Sequence, residues 1–359
     1  MAQKDINKVY CKQIEHSIKE VDKPPYLVDR FKLQRFSEKN TVFHRVIWDA
    51  SWKGYQKMYD ERVLDILSAS KPGFSHVDFA LAYASWAVYD AFQESSRWNT
   101  RKTHRVSVDT IKVDWSKVKT GIEDSNKASL YIKCAAKFFG ASLVGICRLN
   151  RQWLYAEAEV AKKFKNAIVI AIEMDAEGIA TSPAIPAAAA TGVGYSKMVF
   201  ILKCLGKFIY NLGYEAIQCG NDTALSIPLA IDAGLGELGR NGLLITPQYG
   251  PRVRLCKIFT DMPLKPDKPI EFGVSKRCKK CKLCAKHCEA EAISMEDEPK
   301  FEVSCKSNNP GVLKWHVNAE RCYLFWCENG ADCSTCIKVC PYNVASARNL
   351  SVTPEEFWR

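Results

Sequence analysis

The sequence predicts a mixed α+β and α/β core followed by a smaller cysteine-rich module, and three observations predict it. Helix-like and strand-like patterns alternate between residues 127 and 262. Most of the sixteen cysteines fall at or after Cys278. Between the two lies P-L-K-P-D-K-P at 263–269, whose three prolines read as a stiff linker. The organisation this implies is an aromatic-rich N-terminal segment, residues 1–110, packing on a core, residues 111–262, with the cysteine module at 263–359.

The elements follow in order. The first 110 residues carry Trp48, Trp52, Trp86 and Trp98 and no repeat. Val77 to Phe92 reads as a helix, because Phe79, Tyr83, Trp86 and Ala87 share a face at i, i+4, i+7 and i+8. Lys127 to Phe139 reads as a helix closed by Gly140, and Ser142 to Cys147 as a short strand. Ala167 to Glu173, dense in β-branched residues, reads as a buried strand. A long helix is expected from Ala187 to Leu212, capped by Gly213, and another strand from Glu215 to Cys219. The glycine-dense segment AGLGELGRNGLLITPQYGPR at 233–252 fits neither helix nor strand. Its glycines allow positive φ and close backbone approach to a bulky ligand. Walker spacing and a strand-first dinucleotide motif are both missing, and a purely structural loop is the plain alternative.

Composition narrows the class. Of the 359 residues 47% are apolar and 25% charged, as in ordinary globular proteins. The best candidate for an apolar span, Met198 to Tyr210, is interrupted by Lys203 and Lys207, so no membrane crossing is expected. The sequence as given shows no twin-arginine or signal-type segment, which predicts either a cytoplasmic chain or a mature form whose leader has been removed. The formal charge is +11, with a local concentration at Arg97, Arg101, Lys102 and Arg105. Basic residues are otherwise spread along the chain without a nucleic-acid-binding signature, so no nucleic-acid partner is expected. An acidic electron donor or an anionic lipid suits that charge equally well.

The cysteine spacing carries the chemistry. Cys278, Cys281, Cys284 and Cys288 form C-x2-C-x2-C-x3-C, and Cys333, Cys336 and Cys340 form C-x2-C-x3-C followed by Pro341. The first run is the bacterial ferredoxin spacing, in which three thiolates hold one four-iron cluster and the fourth reaches the other. Structural zinc is the alternative, but zinc sites usually use paired C-x2-C elements. Crossed ligation then gives Cys278, Cys281 and Cys284 the fourth ligand Cys340. Cys288, Cys333 and Cys336 need one more, with Cys322 and Cys327 as rivals and Cys305 behind them. Glu289 stands where ferredoxins usually have proline. The isolated Cys11, Cys134, Cys147, Cys204, Cys219 and Cys256 read mostly as small core residues.

From about Ala167 to Asn343 the chain resembles the corrinoid-dependent reductive dehalogenase family. The resemblance rests on TGVGYSKM at 191–198, CGNDTALSIPLAIDAGLGELGRNGLLIT at 219–246, YGPRVR at 249–254, the first cysteine run, and RCYLFWCENGADCSTCIKVCPYN at 321–343. RFSEKNTVFHRVIWD at 35–49 also looks like the family's opening segment. The resemblance implies a nitroreductase-like corrinoid-binding core with a two-cluster ferredoxin-like module. It also implies Cys322 as the eighth ligand, and a base-off corrinoid, matching the lack of a D-x-H-x-x-G motif. Gly234, Gly236, Gly239, Asn241 and Gly242 would then approach that cofactor.

By motif position the resemblance assigns Tyr195 as proton donor, Asn221 as its orienting partner, and Arg254 as the cation that stabilises the phenolate and attracts the leaving halide. Read without it, Tyr195 is a buried helical tyrosine, Asn221 a turn residue and Arg254 a surface charge. Thr191, one helical turn before Tyr195, and Trp326 are candidates for the pocket wall. The implied reaction is reductive removal of halide from an organohalide. Its partners would be a low-potential electron donor, a membrane anchor protein and a second copy of the chain, and family members are usually exported by a twin-arginine signal. Competing readings are an epoxyqueuosine-reductase-like corrinoid enzyme and a ferredoxin-type electron-transfer protein.

Overall fold

Three apolar strands and one strand carrying a buried and a half-buried cation form the central sheet of the computed structural model, which describes residues 18–58, 61–69, 71–95, 122, 124–343 and 353–358. The basic stretch 97–105, Trp98 and Cys11 lie outside these residues. In chain order the elements are β1 (Lys19–Glu20), α1 (Val42–Trp48), α2 (Val63–Ser68), α3 (His76–Ser95), α4 (Ser125–Phe138), β2 (Leu143–Arg148), β3 (Asn166–Glu173), α5 (Ala176–Ala180), α6 (Ile185–Asn211), β4 (Ala216–Cys219) and α7 (Ser226–Asp232). Next come β5 (Glu237–Leu238), β6 (Leu244–Ile245), β7 (Val253–Thr260), β8 (Ile270–Glu271), α8 (Val274–Cys281), α9 (Leu283–Lys286), α10 (Ala319–Asn329), α11 (Thr335–Lys338) and α12 (Pro354–Phe357). The predicted helices and strands sit within a few residues of these bounds, and Gly140 and Gly213 take positive φ where they close α4 and α6.

The main sheet runs β2-β3-β7-β4 and every pairing is antiparallel. β3 and β4, each antiparallel to β7 between them, run parallel to each other, so α6 is a crossover that skips one strand position, whereas α7 lies on the path from β4 to its antiparallel neighbour β7. Strand β7 was not predicted, because Arg254 and Lys257 interrupt its apolar pattern directly after the glycine segment. It nevertheless pairs on both edges, with Ile172 opposite Arg254 and Cys219 opposite Lys257.

Both sheet faces are covered, which is why β3 reads as a continuous apolar run. Ile168, Ile170, Ile172, Cys256 and Ile258 pack on one face against Ile132 of α4 and Met198, Leu202 and Leu205 of α6. Ala167, Val169, Ala171 and Phe259 pack on the other face against Leu229 and Ile231 of α7. Helix α6 is long and apolar enough to cross a membrane by composition, yet it is mostly buried inside the fold. It is the core helix, apolar nearly all round because sheet and α3 enclose it. Gly192 makes the α3 crossing feasible: a Cβ there would lie 2.0 Å from Ser85 Oγ and 2.7 Å from Trp86.

The proline-rich stretch is not a free spacer. Asp267 N donates to Ile146 O at 2.7 Å and its side chain accepts from Ile146 N at 2.8 Å, so the segment lies along the exposed edge of β2. Prolines are tolerated at such an edge because no ladder donor is needed from them. Beyond it, β8 pairs with β1 from the N-terminal segment.

Candidate active site

Two cavities meet at one hydrogen bond. Tyr195, on the sheet-facing side of α6, accepts a hydrogen bond from Asn221 Nδ2 at 3.3 Å. Tyr195 and Arg254 line an aromatic cavity of about 360 Å³, and Asn221 lines a second, more apolar cleft of about 210 Å³.

In the aromatic cavity the Tyr195 ring stacks on Trp86 of α3, with centroids 4.8 Å apart, and meets Tyr89 edge-on at 5.3 Å. Such contacts are worth about 0.5–1.5 kcal/mol each beyond area burial and hold the ring plane fixed. The Arg254 guanidinium carbon lies 5.5 Å from the Tyr195 ring centre. Arg254 is itself aimed by Thr191 Oγ1, which accepts from Nη2 at 2.9 Å, and by Met174 Sδ, 3.2 Å from Nε. Thr191 and Trp326 both line this cavity, and Trp326 packs on Phe43 of α1. Asp332 also lines it: burial raises its carboxyl above the ordinary range, opposed by the Arg254 charge and a hydrogen bond with Thr191. Asp332 was not predicted, because between cysteine ligands it reads as a loop acid. Trp86 and Tyr89 were not singled out as site residues, since aromatics at helical spacing look like ordinary core.

Pro228, Ile231 and Val312 give the second cleft its apolar walls, with Tyr26, Trp153 and Tyr155 at one side. Lys314 lines it as well, and burial lowers its pKa to about 8. Two buried polar atoms there, Trp153 Nε1 and Asn309 Oδ1, have no hydrogen-bond partner. Orphaned polar atoms on an apolar wall suit a large ligand with polar appendages.

The glycine segment divides. Gly242, with φ +72°, lines the cleft. Gly234 and Gly236 instead face their own chain: a Cβ on Gly236 would lie 2.0 Å from Ile245 O, and one on Gly234 2.4 Å from Lys268 O. Close packing of the loop on itself and on the proline stretch is what demands those two glycines. Gly239 and Asn241 sit beside Cys278, Cys281, Cys284 and Cys340, and Asn241 Nδ2 approaches Cys336 O at 3.4 Å.

The thiols separate into two electrostatic sets. Cys284 and Cys340 sense Cys278 and Cys281, whereas Cys322 senses Cys288 and Cys333, and Cys336 senses both sets. Burial first, then these neighbours, pushes Cys284, Cys322 and Cys340 up to about 12. Grouped buried thiols of this kind need a positive centre to ionise. Cys327 lies apart, buried with Trp52 and Tyr323. Of the isolated cysteines, Cys147, Cys219 and Cys256 are buried, Cys204 is half-buried and Cys134 is exposed. Arg240, stacked 4.2 Å from the Trp315 ring, donates to the carbonyls of Cys278, Ser294 and Glu296 and so fixes the first cysteine run.

Residues 277–344 match the 4Fe-4S dicluster domain family. The chain is 32% identical over 374 residues to the tetrachloroethene reductive dehalogenase of Sulfurospirillum multivorans, covering 87% of this chain and 73% of that protein. The chain belongs to the reductive dehalogenase family. Another member, the tetrachloroethene reductive dehalogenase of Desulfitobacterium hafniense, is 38% identical over 278 residues, 64% of this chain and 50% of its own length. The solved catabolic reductive dehalogenase NpRdhA shares the fold, with TM-score 0.69 and 25% identity over 95% of this chain and 47% of that one. The chain thus spans about half the length of the Desulfitobacterium hafniense relative and of the solved structure.

Proposed function

We propose that this chain carries out reductive dehalogenation, in which an organohalide, two electrons and one proton give the hydrogen-substituted product and free halide. The observation that carries this reading is the Asn221–Tyr195 contact, which sets a proton donor at the border between an apolar cleft and an aromatic cavity containing Arg254. Cys278, Cys281, Cys284 and Cys340 would hold one four-iron cluster, and Cys288, Cys322, Cys333 and Cys336 the other. When bound, the clusters would relay single electrons, and a corrinoid, for which Asn221, Gly242 and Lys314 would provide part of the binding wall, would supply the low-potential reductant of the carbon–halogen bond.

The chain's own residues do the rest. Trp86, Tyr89 and Trp326 exclude water and present flat apolar walls to an organic halide. Because Asn221 donates to the Tyr195 hydroxyl oxygen, the phenolic proton stays free to pass to carbon, and the same donor then stabilises the phenolate. Arg254, held by Thr191, adds its charge to that phenolate and attracts the departing halide. A pure electron-transfer protein has no use for this arrangement.

The partners that suit the reading are an organohalide and a low-potential electron donor landing near the exposed cations Lys276, Lys280 and Lys286 around the first cysteine run. A membrane anchor protein and a second copy of the chain complete them. The test is anaerobic reconstitution with iron, sulfide and corrinoid, followed by halide release from a panel of chlorinated and brominated alkenes, alkanes and aromatics. Full cofactor loading without halide release from any of them refutes the proposal.

A further inference from the structure

Asn221 rides on a turn whose internal bonds, Ala224 N to Asp222 O at 2.6 Å and Thr223 Oγ1 to Asp222 Oδ1 at 2.7 Å, do not reach its two ends. The segment 220–226 links β4 to α7, and within it Thr223, a β-branched residue, has φ +65°. That left-handed conformation is strained for a β-branched residue and persists only where the surroundings over-determine it. Tyr155 N binds Thr223 O at 2.9 Å and Leu225 N binds Trp153 O at 2.8 Å, which fixes the outer side of the turn.

The inner side is fixed by Lys257 of β7. Its ammonium donates to Gly220 O at 3.0 Å, Ala224 O at 2.8 Å and Ser226 Oγ at 3.0 Å, and the residue is completely buried. All three acceptors are uncharged, and they flank Asn221–Thr223 on both sides. A buried cation satisfied by carbonyls is a costly way to stabilise a fold, since an apolar residue of similar volume often serves as well or better. What it adds is direction: three donors converge from one point and fix where the two carbonyls face.

We infer that Lys257 is a positioning residue, pinning both ends of the 220–226 turn so that Asn221 Nδ2 stays on the Tyr195 hydroxyl. The inference rests on the reading of Tyr195 as proton donor. It adds a residue that touches neither cavity as the element that sets the donor's geometry.

The test places a single fluorotyrosine at position 195 in the reconstituted full chain and follows its 19F resonance against pH. Fluorination brings the phenol's ionisation into a range the fold tolerates. Losing the Asn221 hydrogen bond removes a stabiliser of the phenolate, so Asn221→Ala raises the midpoint, roughly tenfold in ionisation constant. Lys257→Met moves it in the same direction by a comparable amount, and the double variant goes no further, as expected for residues acting through one contact. Lys257→Met also lowers kcat on an organohalide by roughly tenfold or more while KM stays within about twofold.

An unchanged Tyr195 titration in Lys257→Met with normal iron and corrinoid content, or additivity in the double variant, overturns the inference. Should Lys257→Met fail to fold, Ser226→Ala decides. It removes one of the three acceptors, and a smaller shift of the same sign supports the clamp whereas no shift refutes it. A wild-type protein that releases no halide refutes the reaction and leaves the 19F comparison intact, so the two failures are told apart.

Discussion

Strand β7 carries two cations three residues apart, and they face opposite sides of the sheet. Arg254 projects toward α6 and the aromatic cavity, is half-buried, and retains access to whatever enters. Lys257 projects toward α7, is sealed, and uses every donor it has on the protein itself. The same strand thus supplies an electrostatic tool on one face and a fastening on the other. A positive charge serves chemistry when its environment leaves part of it unsatisfied, and serves architecture when the fold uses all of it.

Several changes can break or sharpen that contrast. The largest effect is expected from Tyr195→Phe, which keeps the Trp86 stack but removes the proton, lowering kcat by about 10²–10⁴-fold with cluster and corrinoid content unchanged. Halide release and absorption spectra on the same sample check it. Arg254→Met follows, with a loss of roughly 10²–10³-fold in kcat/KM and little change in melting temperature, because the removed charge served the cavity rather than the core. If Arg254→Met unfolds the protein instead, the two faces of β7 are not distinct in the way described.

Thr191→Val is smaller. It leaves the helix intact and removes the acceptor at 2.9 Å from Arg254 Nη2, so activity falls by about five- to tenfold, with a partial recovery of rate by added small hydroxylic cosolvents not expected. The smallest effect belongs to the α7 side. Asp232 accepts from the Tyr26 hydroxyl at 2.7 Å, and burial raises its pKa to about 6, against about 3.9 in an unfolded chain. The native state therefore holds the proton more tightly, and this group's contribution to stability is greatest below pH 4 and declines as pH rises toward 6. Asp232→Asn keeps the acceptor and removes the titration. The variant should gain about 2–3 kcal/mol relative to wild type at pH 8 compared with pH 4, several degrees in calorimetric Tm.

Much of this was legible in the sequence wherever one force dominated. Helices α4 and α6 and strands β2 to β4 are fixed by uniform apolar patterns and by glycine stops, and the cysteine spacing states its own geometry. Tyr195 and Thr191 were placed on one face by helical period alone. Legibility failed where two demands shared a segment. Strand β7 interrupts its apolar residues with two cations, so it does not look like a central strand until Arg254 has a cavity and Lys257 has a turn to hold. The self-packing of Gly234 and Gly236 was not legible either, because a flexible loop and a tightly packed one have the same composition. Asp332 and Trp86 were passed over because their roles arise only when α3 and the module after β8 are brought to the same opening.

Helix α3 meets the rest of the described fold chiefly along α6, through the gap left by Gly192 and the Ser196–Ser85 hydrogen bond at 2.7 Å. It contributes Phe79, Trp86 and Tyr89 to the aromatic cavity but no thiol and no part of the cleft beside Asn221. The outline of the opening can therefore be recut by exchanging residues on a single helix, Phe79 before the others because Trp86 and Tyr89 also hold the Tyr195 ring, while every thiol stays where it is. Diversification of accepted molecules is mechanically cheap in such a design.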